Sequence, residues 1–517
     1  MLSLRFQLRR AGRISVGAFN CFSCKVGLLA CCGGLLVVSG CGSRGIAGLG
    51  GSQAGTPVKG ENTTVTVVLT STANDQLMQY GAFLNSLTLT SQSGAKVNLL
   101  SAAQRAEFDG LNGEAEPLVT LSIPQDVYTS ASATIGFAEF GCAGYAQGSQ
   151  QTNTYQYGET PDSDVTVDLP AKLTVAGQPL GLLLNLDVAK SASWSPQPCW
   201  NPLPHDVYSI TPTFDLTSFV ISGKPTAPWN GNFSGLSGLV ASAPNANGMF
   251  TVTSADGTNL PSLTGATGGI VWNVSTDSST ILQGIPKLAS LTQGMTVMVD
   301  GTLLPTGSIL ASRIDVVDSD TSTPSLFIGQ LLQIDNSEPA VVQYDRQNEG
   351  TLLEVIGGAG YVYSGANFEI SPAFTNLSSL PFPATFNSQT MVAGQNTLIT
   401  SHATTVSNFG ALATTVMLIP QTIDGTVEAV NTVGGLTAYT VTLASYDTFP
   451  SLAFTNSEQT SPLTDPSTVT VYADGSTAML SSQTPAPGGV FRFYGLVFND
   501  HGALKMDCSQ ISDGVPE

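Results

Sequence analysis

An internal repeat in the second half of the chain constrains its fold more than any single motif. Four residues recur at the same spacing later in the chain: Val274, Asp277, Ser279 and Thr280 return as Val471, Asp474, Ser476 and Thr477. Both copies consist of short alternating apolar runs separated by Gly, Asn and Pro turns, a pattern typical of strands and hairpins. A repeat of this kind predicts consecutive small β modules.

The first copy supplies the strands and turns of such a module. Residues 238–241 begin a strand, Asn247-Gly248 makes a hairpin turn, and residues 249–253 return. Further strands are predicted at 271–275, 295–299 and 309–317, with a bulge at Gly301 and a core face formed by Leu310, Ile314 and Val316. In the C-terminal copy, Cys508 takes the position of Ile314, which predicts a buried small side chain rather than a reactive thiol.

These residues resemble an uncharacterised envelope family, domain of unknown function 5666. The resemblance rests on Gly238, Val252, Val274, Thr280, Leu291, Gly294, Val297, Val299, Gly301, Leu303, Gly307, Ala311 and Ile314. It implies β-barrel-like modules at residues 233–318 and 423–512. Residues 327–422 are predicted to be a diverged β module. Whether that segment is a true third repeat stays open, because 357–383 does not align.

Residues 63–194 are predicted to form a β-sandwich-like domain with one short helix at 101–111. The chain here resembles a second uncharacterised bacterial envelope family, domain of unknown function 4382. The matching pieces are 65–70, 97–100, 123–128 and 184–187, with Ser71 where that family usually has Asp. The expected fold class is therefore mostly β, an N-terminal sandwich-like domain followed by two or three small barrel-like modules. Residues 195–232 form a connector rich in Pro and aromatic residues, for which interdomain packing is favoured over a sugar-binding surface.

The N-terminus carries the features of an export signal that ends at a cysteine. Residues 1–40 combine an Arg-rich start with an apolar run at 26–38. That run is too short to cross the membrane comfortably, since a spanning helix takes about 20 residues. An uncleaved membrane anchor is the alternative.

Val38-Ser39-Gly40-Cys41 resembles the lipobox of bacterial lipoproteins. The resemblance implies cleavage between Gly40 and Cys41, a diacylglyceryl group on the Cys41 thiol and acylation of the new amine. Because Gly42 is not Asp, it also implies the outer membrane of a Gram-negative envelope. Residues 41–62 are expected to be a flexible tether.

The charge of the chain restricts its partners. Five of the 17 basic residues precede Cys41 and no acidic residue does, which leaves 12 against 37 and a mature net charge of −25. Such a chain repels phosphate backbones, so nucleic-acid binding is rejected. The expected partners are the membrane, through the lipid anchor, and a glycan or an envelope protein. The oligomeric state stays open.

Three cysteines follow Cys41 in the chain: Cys142, Cys199 and Cys508. A Cys142–Cys199 disulfide is predicted, because an exported protein meets an oxidising compartment. Two unpaired thiols are the alternative.

No linear motif indicates catalysis or a bound metal. The three histidines fall in predicted loops, without metal-ligand spacing or a nucleophile motif: His205, His402 and His501. Asp315, Asp318 and Asp320 lack the Gly turn and terminal Glu of a calcium loop, and a solvated acidic hinge is favoured. No cofactor and no metal are expected.

The preferred function is a non-catalytic, membrane-anchored envelope lipoprotein acting as a binding or structural scaffold. A carbohydrate- or matrix-binding adhesin and a secreted hydrolase are the alternatives; the hydrolase site would assemble only in three dimensions. The tryptophans distinguish the scaffold from the adhesin, because exposed coplanar rings favour glycan binding and buried rings favour packing. They are Trp194, Trp200, Trp229 and Trp272.

Overall fold

The computed structural model shows a mostly β protein. The structure describes residues 56–72, 79–108, 111, 114–145, 153–160, 163–195, 207–221, 230–254, 270–322, 325–334, 340–343, 346–348, 358–402, 411–444, 463–481 and 483–514. These residues belong to one compact unit, Gly48–Glu517.

The N-terminal domain is built on an 11-stranded sheet with the path β3-β2-β6-β8-β13-β10-β1-β5. Strands β4, β7 and β9 pair with this path, while β11 and β12 form a separate ribbon. The elements are β1 Asn62–Ser71, β2 Gln79–Ser91, β3 Lys96–Asn98, β4 Gln104–Glu107, β5 Ala115–Pro124, β6 Asp126–Tyr145, β7 Asn153–Thr160, β8 Ser163–Asp168, β9 Leu173–Val175, β10 Leu180–Leu186, α1 Val188–Ser191, β11 Ala192–Ser195, β12 Val207–Ile210 and β13 Phe214–Val220.

Distant strands of this sheet share one core, as in a sandwich. The rings of Phe108, which follows β4, and Phe214, on β13, lie 5.5 Å apart although their strands do not pair. Strand β13 falls in the segment interpreted from the sequence as a connector. It pairs with β10 and buries Phe214, Leu216 and Phe219, so this part of the connector is a sheet strand.

The helix predicted at 101–111 is wrong. Residues Gln104–Glu107 form β4, which pairs antiparallel with β2. Ala106 and Phe108 are both fully buried, two positions apart. This period of two belongs to a strand, and pairing with β2 overrides the helical propensity of the segment.

Residues 232–318 form a closed barrel, barrel 1. Its strands are β14 Asn232–Ser242, β15 Met249–Ser254, β16 Val271–Ser275, β17 Ile281–Gln283, β18 Thr296–Leu303 and β19 Ile309–Asp318, with a 3₁₀ turn at Leu288–Ser290. The order is β16-β15-β14-β18-β19, and parallel pairing of β16 with β19 closes the ring. The short strand β17 also pairs in parallel with β19.

Barrel 3, residues 421–513, has the same topology. Its strands are β27 Gln421–Val433, β28 Leu436–Leu443, β29 Asp465–Ala473, β30 Ala478–Met479, β31 Val490–Asp500 and β32 Ala503–Asp513. The order is β29-β28-β27-β31-β32, closed by parallel pairing of β29 with β32. Strand β30 pairs in parallel with β32, as β17 does with β19.

The segment between them, barrel 2, repeats this order a third time. Its strands are β20 Ser325–Gln333, β21 Ala340–Gln343, β22 Arg346–Asn348, β23 Gly358–Val362, β24 Asn367–Ile370, β25 Asn396–Ser401 and β26 Ala411–Leu418, with a 3₁₀ turn at Leu377–Ser379. The ring runs β20-β21-β23-β26-β25 and returns to β20, with β23 and β26 parallel. Strand β24 takes the place of β17.

One backbone motif marks the entry to the fourth ring strand in all three barrels. Its glycines, Gly294, Gly394 and Gly488, have φ between 84° and 96°. Each donates its N–H to a buried residue of the first strand, over 2.8 Å in every case: Val240, Leu331 and Val427. Residues with a side chain rarely adopt this left-handed conformation, so glycine is required here. Barrel 2 is therefore built to the same plan as its neighbours.

The first ring strand pairs with the second and the fourth, and the third pairs in parallel with the fifth. This closed order is that of the OB-fold, a five-stranded Greek-key barrel.

A β-bulge changes the core face predicted for β19. The pairing shifts between Asp300 and Gly301, so Ser312 has no partner of its own. The bulge inverts the alternation. Ala311 therefore enters the core beside Ile314, while Leu310 is half-buried, which corrects the predicted face of Leu310.

The same pairing corrects the position predicted for Cys508. Cys508 lies opposite Gly495 as Ala311 lies opposite Gly301, so it is equivalent to Ala311 and not to Ile314. Its burial is confirmed at 4% exposure. Burial also raises the pKa of its thiol to about 12, which makes it unreactive at neutral pH.

Candidate functional site

The structure does not describe the side chains predicted to carry the anchor and the disulfide. Gly40, Cys41 and Cys199 are outside the described residues. Cys142 lies on β6 opposite Gln156 of β7, and its side chain is not described. Lipidation at Cys41 and the Cys142–Cys199 disulfide stay predictions.

Buried side chains close the junctions between consecutive domains. At the first junction, Trp272 on β16 of barrel 1 is 3% exposed, and its indole Nε1–H donates to the carbonyl oxygen of Pro117 on β5 over 2.9 Å. The turn at Gly307 lies against Thr120 of the same strand. The N-terminal domain and barrel 1 share one continuous apolar core.

Trp272 is thus a packing residue. Trp194 has no described side chain, and Trp200 and Trp229 lie outside the described residues.

A cleft of about 230 Å³ opens beside this first junction. Its walls include Gln104, Val119 and Thr120 from the N-terminal domain and Val271, Asn273 and Gly307 from barrel 1. The side chains described along it are uncharged. In barrel 1 the cleft therefore meets the third ring strand and the turn between the fourth and fifth strands.

The second junction joins barrel 1 to barrel 2 through a small apolar cluster. Met298 and Val317 extend from the outside of barrel 1, and barrel 2 contributes Leu326, Ile328, Leu398, Met417 and Ile419. Asp318, the last residue of β19, accepts a hydrogen bond of 2.7 Å from Thr400 Oγ1 of barrel 2. The solvated acidic hinge predicted at Asp315, Asp318 and Asp320 is therefore wrong for its first two residues, which are buried, while Asp320 is exposed.

His402 also belongs to the second junction. Its Nε2 lies 2.7 Å from Asp318 Oδ2, and its side chain is 11% exposed. His205 lies outside the described residues, and His501 sits in the exposed β31–β32 turn, with Nδ1 2.8 Å from Asp500 Oδ1.

The third junction is the most aromatic. The segment between β24 and β25 of barrel 2 covers the outside of barrel 3, and the ring of Phe382 lies 5.5 Å from that of Tyr472 and 5.7 Å from that of Phe498. Gln395 Nε2 donates to the carbonyl oxygen of Val497 over 2.7 Å. Val392 enters the core of barrel 3 itself.

Sequence reasoning missed these junction residues, although one signal was available. Residues 296–299 of β18 are all buried, so both faces of this strand are covered. A continuous run such as Val297-Met298-Val299 is typical of a strand buried on both faces, and here the second face meets barrel 2.

Within the described ranges, no group of three or more His, Cys, Asp or Glu side chains is arranged to hold a metal ion. Asp315 is engaged by Arg313, whose Nε lies 2.8 Å from both carboxylate oxygens. Asp320 accepts from the backbone and side chain of Ser322. No helix in this part of the chain is long and apolar enough to span a membrane.

The fold defines a class of protein, a β-sandwich-like domain followed by three barrels of OB-fold order. Comparison with known families adds one match: residues 246–315 fit the family described as a domain of unknown function, DUF5666. The matched span runs from the turn before β15 into β19 and so covers most of barrel 1. No curated protein matches the chain.

Proposed function

We propose that this protein is a non-catalytic scaffold of the bacterial cell envelope, with its domains held in a fixed relative arrangement. The observation that carries the proposal is that buried groups from both partners close all three junctions. Trp272 donates to the Pro117 carbonyl oxygen, Met298 and Leu398 belong to one apolar cluster, and the ring of Phe382 packs against those of Tyr472 and Phe498. Interfaces of this kind oppose the relative motion that is otherwise expected between domains of one chain.

The proposed anchor is the lipidated Cys41. Its support is the lipobox-like sequence at 38–41 and the mature charge of −25, which disfavours electrostatic docking on anionic lipid. Several acyl chains at about 0.8 kcal/mol per buried CH₂ would hold the protein on a membrane permanently. The resemblance of residues 63–194 to domain of unknown function 4382 supports the envelope location.

Metabolic labelling with a palmitate analogue tests the anchor. The wild-type chain should incorporate label and sediment with outer membranes. Cys41→Ala should lose both properties, whereas Cys508→Ala should retain them. Label that persists in Cys41→Ala would contradict the anchor without affecting the junctions.

Small-angle X-ray scattering tests the fixed arrangement. The soluble chain from Gly42 onward should give a profile fitted by one arrangement of domains, plus the tether. Phe382→Ala should increase the radius of gyration, because it removes the ring that joins barrels 2 and 3. The matched control is Val430→Ala, at an exposed site of barrel 3. A profile that requires many domain arrangements in the wild-type chain would contradict the scaffold.

The cleft favours carbohydrate binding as a second candidate function. OB-fold barrels bind oligosaccharides and oligonucleotides through the second and third strands and the adjoining loops. The cleft meets that region of barrel 1, and Gln104 and Asn273 provide neutral amide groups there. The acidic charge of the chain opposes oligonucleotides, so a neutral oligosaccharide fits better. This argument rests on fold analogy and on the composition of the cleft.

Calorimetric titration with neutral envelope oligosaccharides tests this candidate. Asn273→Ala should abolish any binding, and Asn431→Ala, an exposed amide in barrel 3, should leave it unchanged. No heat for the wild-type protein at millimolar ligand would contradict it.

A further inference from the structure

His402 holds an unusual position between two hydrogen-bond acceptors. Its Nε2 lies 2.7 Å from the carboxylate oxygen Oδ2 of Asp318, and its Nδ1 lies 2.9 Å from the backbone carbonyl oxygen of Ser322. A carbonyl oxygen can only accept a hydrogen bond, and so can an ionised carboxylate. Both ring nitrogens must therefore donate.

This requirement sets the protonation state of the ring. A neutral imidazole carries one N–H and can satisfy only one of these partners, whereas the imidazolium carries two. Asp318 already accepts from Thr400 Oγ1 at 2.7 Å and from the backbone N–H of Asp320 at 2.9 Å. These two donors keep its carboxylate oriented toward the ring, so loss of the second ring proton breaks one of the two histidine hydrogen bonds.

The charged groups around the ring favour the same state. Asp318 comes from the end of β19, Asp320 lies in the inter-barrel connection with Oδ2 3.9 Å from Nδ1, and Glu369 on β24 interacts electrostatically with Asp318. All three are carboxyl groups. Burial by itself lowers the pKa of His402, but the Ser322 carbonyl and the carboxylates of Asp318 and Asp320 outweigh it and raise the pKa above 6.5.

The contacts of His402 join parts of the chain that belong to different barrels. Asp318 ends the last strand of barrel 1, Ser322 lies in the connection, and His402 follows the fourth ring strand of barrel 2. The ring thus links the end of barrel 1 and the connection to barrel 2.

We propose that His402 is a proton-operated latch that fixes barrel 2 on barrel 1 while both ring nitrogens carry protons, and that it releases the connection when rising pH removes one of them. The direction follows from linkage. A histidine whose pKa is raised by folding stabilises the folded arrangement fully below its unfolded pKa of about 6.5, and that stabilisation is lost as pH rises through the folded pKa. The inference concerns the second junction alone and does not depend on the lipid anchor or the cleft.

Histidine NMR on the full-length protein in detergent tests the proton. The chain contains three histidines, so the signals lost in His205→Gln and His501→Gln assign the remaining one to His402 by elimination. The latch predicts that His402 titrates above pH 6.5 and that both nitrogens carry protons at pH 6. A titration at or below 6.5, or a neutral ring at pH 6, would overturn the proposal.

Hydrogen exchange tests the release. Peptides covering residues 318–322 and 396–402 should lose protection as pH rises, after correction for intrinsic exchange, by about tenfold for each unit by which the folded pKa exceeds 6.5. His402→Gln should show the lower protection of the high-pH wild type at every pH. His501→Gln, at an exposed His–Asp pair, should retain the wild-type profile. A wild-type profile that is flat with pH, or one that His402→Gln reproduces, would contradict the latch.

Discussion

Thr280 and Thr477 make the same hydrogen bond in barrels 1 and 3. Thr280 Oγ1 donates to the carbonyl oxygen of Ala311 over 2.7 Å, and Thr477 Oγ1 donates to that of Cys508 over 2.9 Å. In both turns the hydroxyl also accepts from the backbone N–H of an aspartate, Asp277 in barrel 1 and Asp474 in barrel 3. In both barrels, the repeated threonine therefore joins the turn after the third ring strand to the fifth ring strand through the same hydrogen bond.

Replacing either threonine with valine should destabilise its barrel to a similar extent. The variants Thr280→Val and Thr477→Val keep the shape of the side chain and remove the hydroxyl, at an expected cost of about 1 kcal/mol each. Chemical denaturation measures the loss. Thr432→Val, at an exposed position near the end of β27, is the control and should change little. A loss in one barrel only would show that the two turns are not equivalent in solution.

The sequence predicted the repeated barrel well because its signals are local. Strand β16 coincides with the predicted 271–275, and the bulge at Gly301 is confirmed. Barrel 2 was harder to recognise because its loops differ in length, and its shared glycine, Gly394, is isolated in a long segment without the Asp-x-Ser-Thr turn.

The junctions could not be derived from strand patterns. Alternation separates the inside of a barrel from its outside, but it does not say whether the outside meets water or another domain. Phe382 and Gln395 lie in irregular segments, where no period assigns a face. The positions predicted for Cys508 and Leu310 were wrong for a related reason. A bulge, or a hairpin that is longer in one barrel than in the other, shifts the pairing of every later residue in the strand.

Gly307→Ala should weaken the first junction. Gly307 has a φ of 82°, and an added Cβ would lie 2.2 Å from Thr120 Cγ2. Gly435→Ala is the matched control, with a φ of 89° and open space around its Cβ. Both should lose about 1–2 kcal/mol from backbone strain, and Gly307→Ala should lose more because of the clash. Equal losses in thermal or denaturant unfolding would contradict the Gly307–Thr120 contact.

Phe382→Ala should destabilise barrels 2 and 3 together. The ring is buried between Tyr472 and Phe498, and truncation of such a ring costs about 3–5 kcal/mol. Denaturant unfolding followed by hydrogen exchange should show lower protection on both sides of the junction. Val430→Ala should stay within about 0.5 kcal/mol of the wild type. Lower protection confined to barrel 2 would indicate that the barrels are not coupled through this ring.

The stability of barrel 3 should fall as pH rises from about 4 to about 6. Burial and the neighbouring carboxylate of Asp474 raise the pKa of Asp507 to about 6. An acid whose pKa is raised by folding favours the folded state while protonated, and this contribution is lost as pH rises through the folded pKa. Asp507→Asn should therefore flatten the dependence of the urea midpoint on pH between 4 and 7. Asp513→Asn, at an exposed carboxylate of the same strand, should preserve it.

The fixed arrangement of the barrels is tested most directly by a distance distribution between barrels 1 and 3. Spin labels at Ile281→Cys and Val430→Cys, two exposed sites, report this distance by pulsed electron paramagnetic resonance at pH 6, in a soluble chain with Cys142 and Cys199 replaced by serine. Cys508 is buried and should not be labelled. The scaffold predicts one narrow distance peak, which Phe382→Ala broadens. A broad distribution in the chain with Phe382 intact would contradict the scaffold.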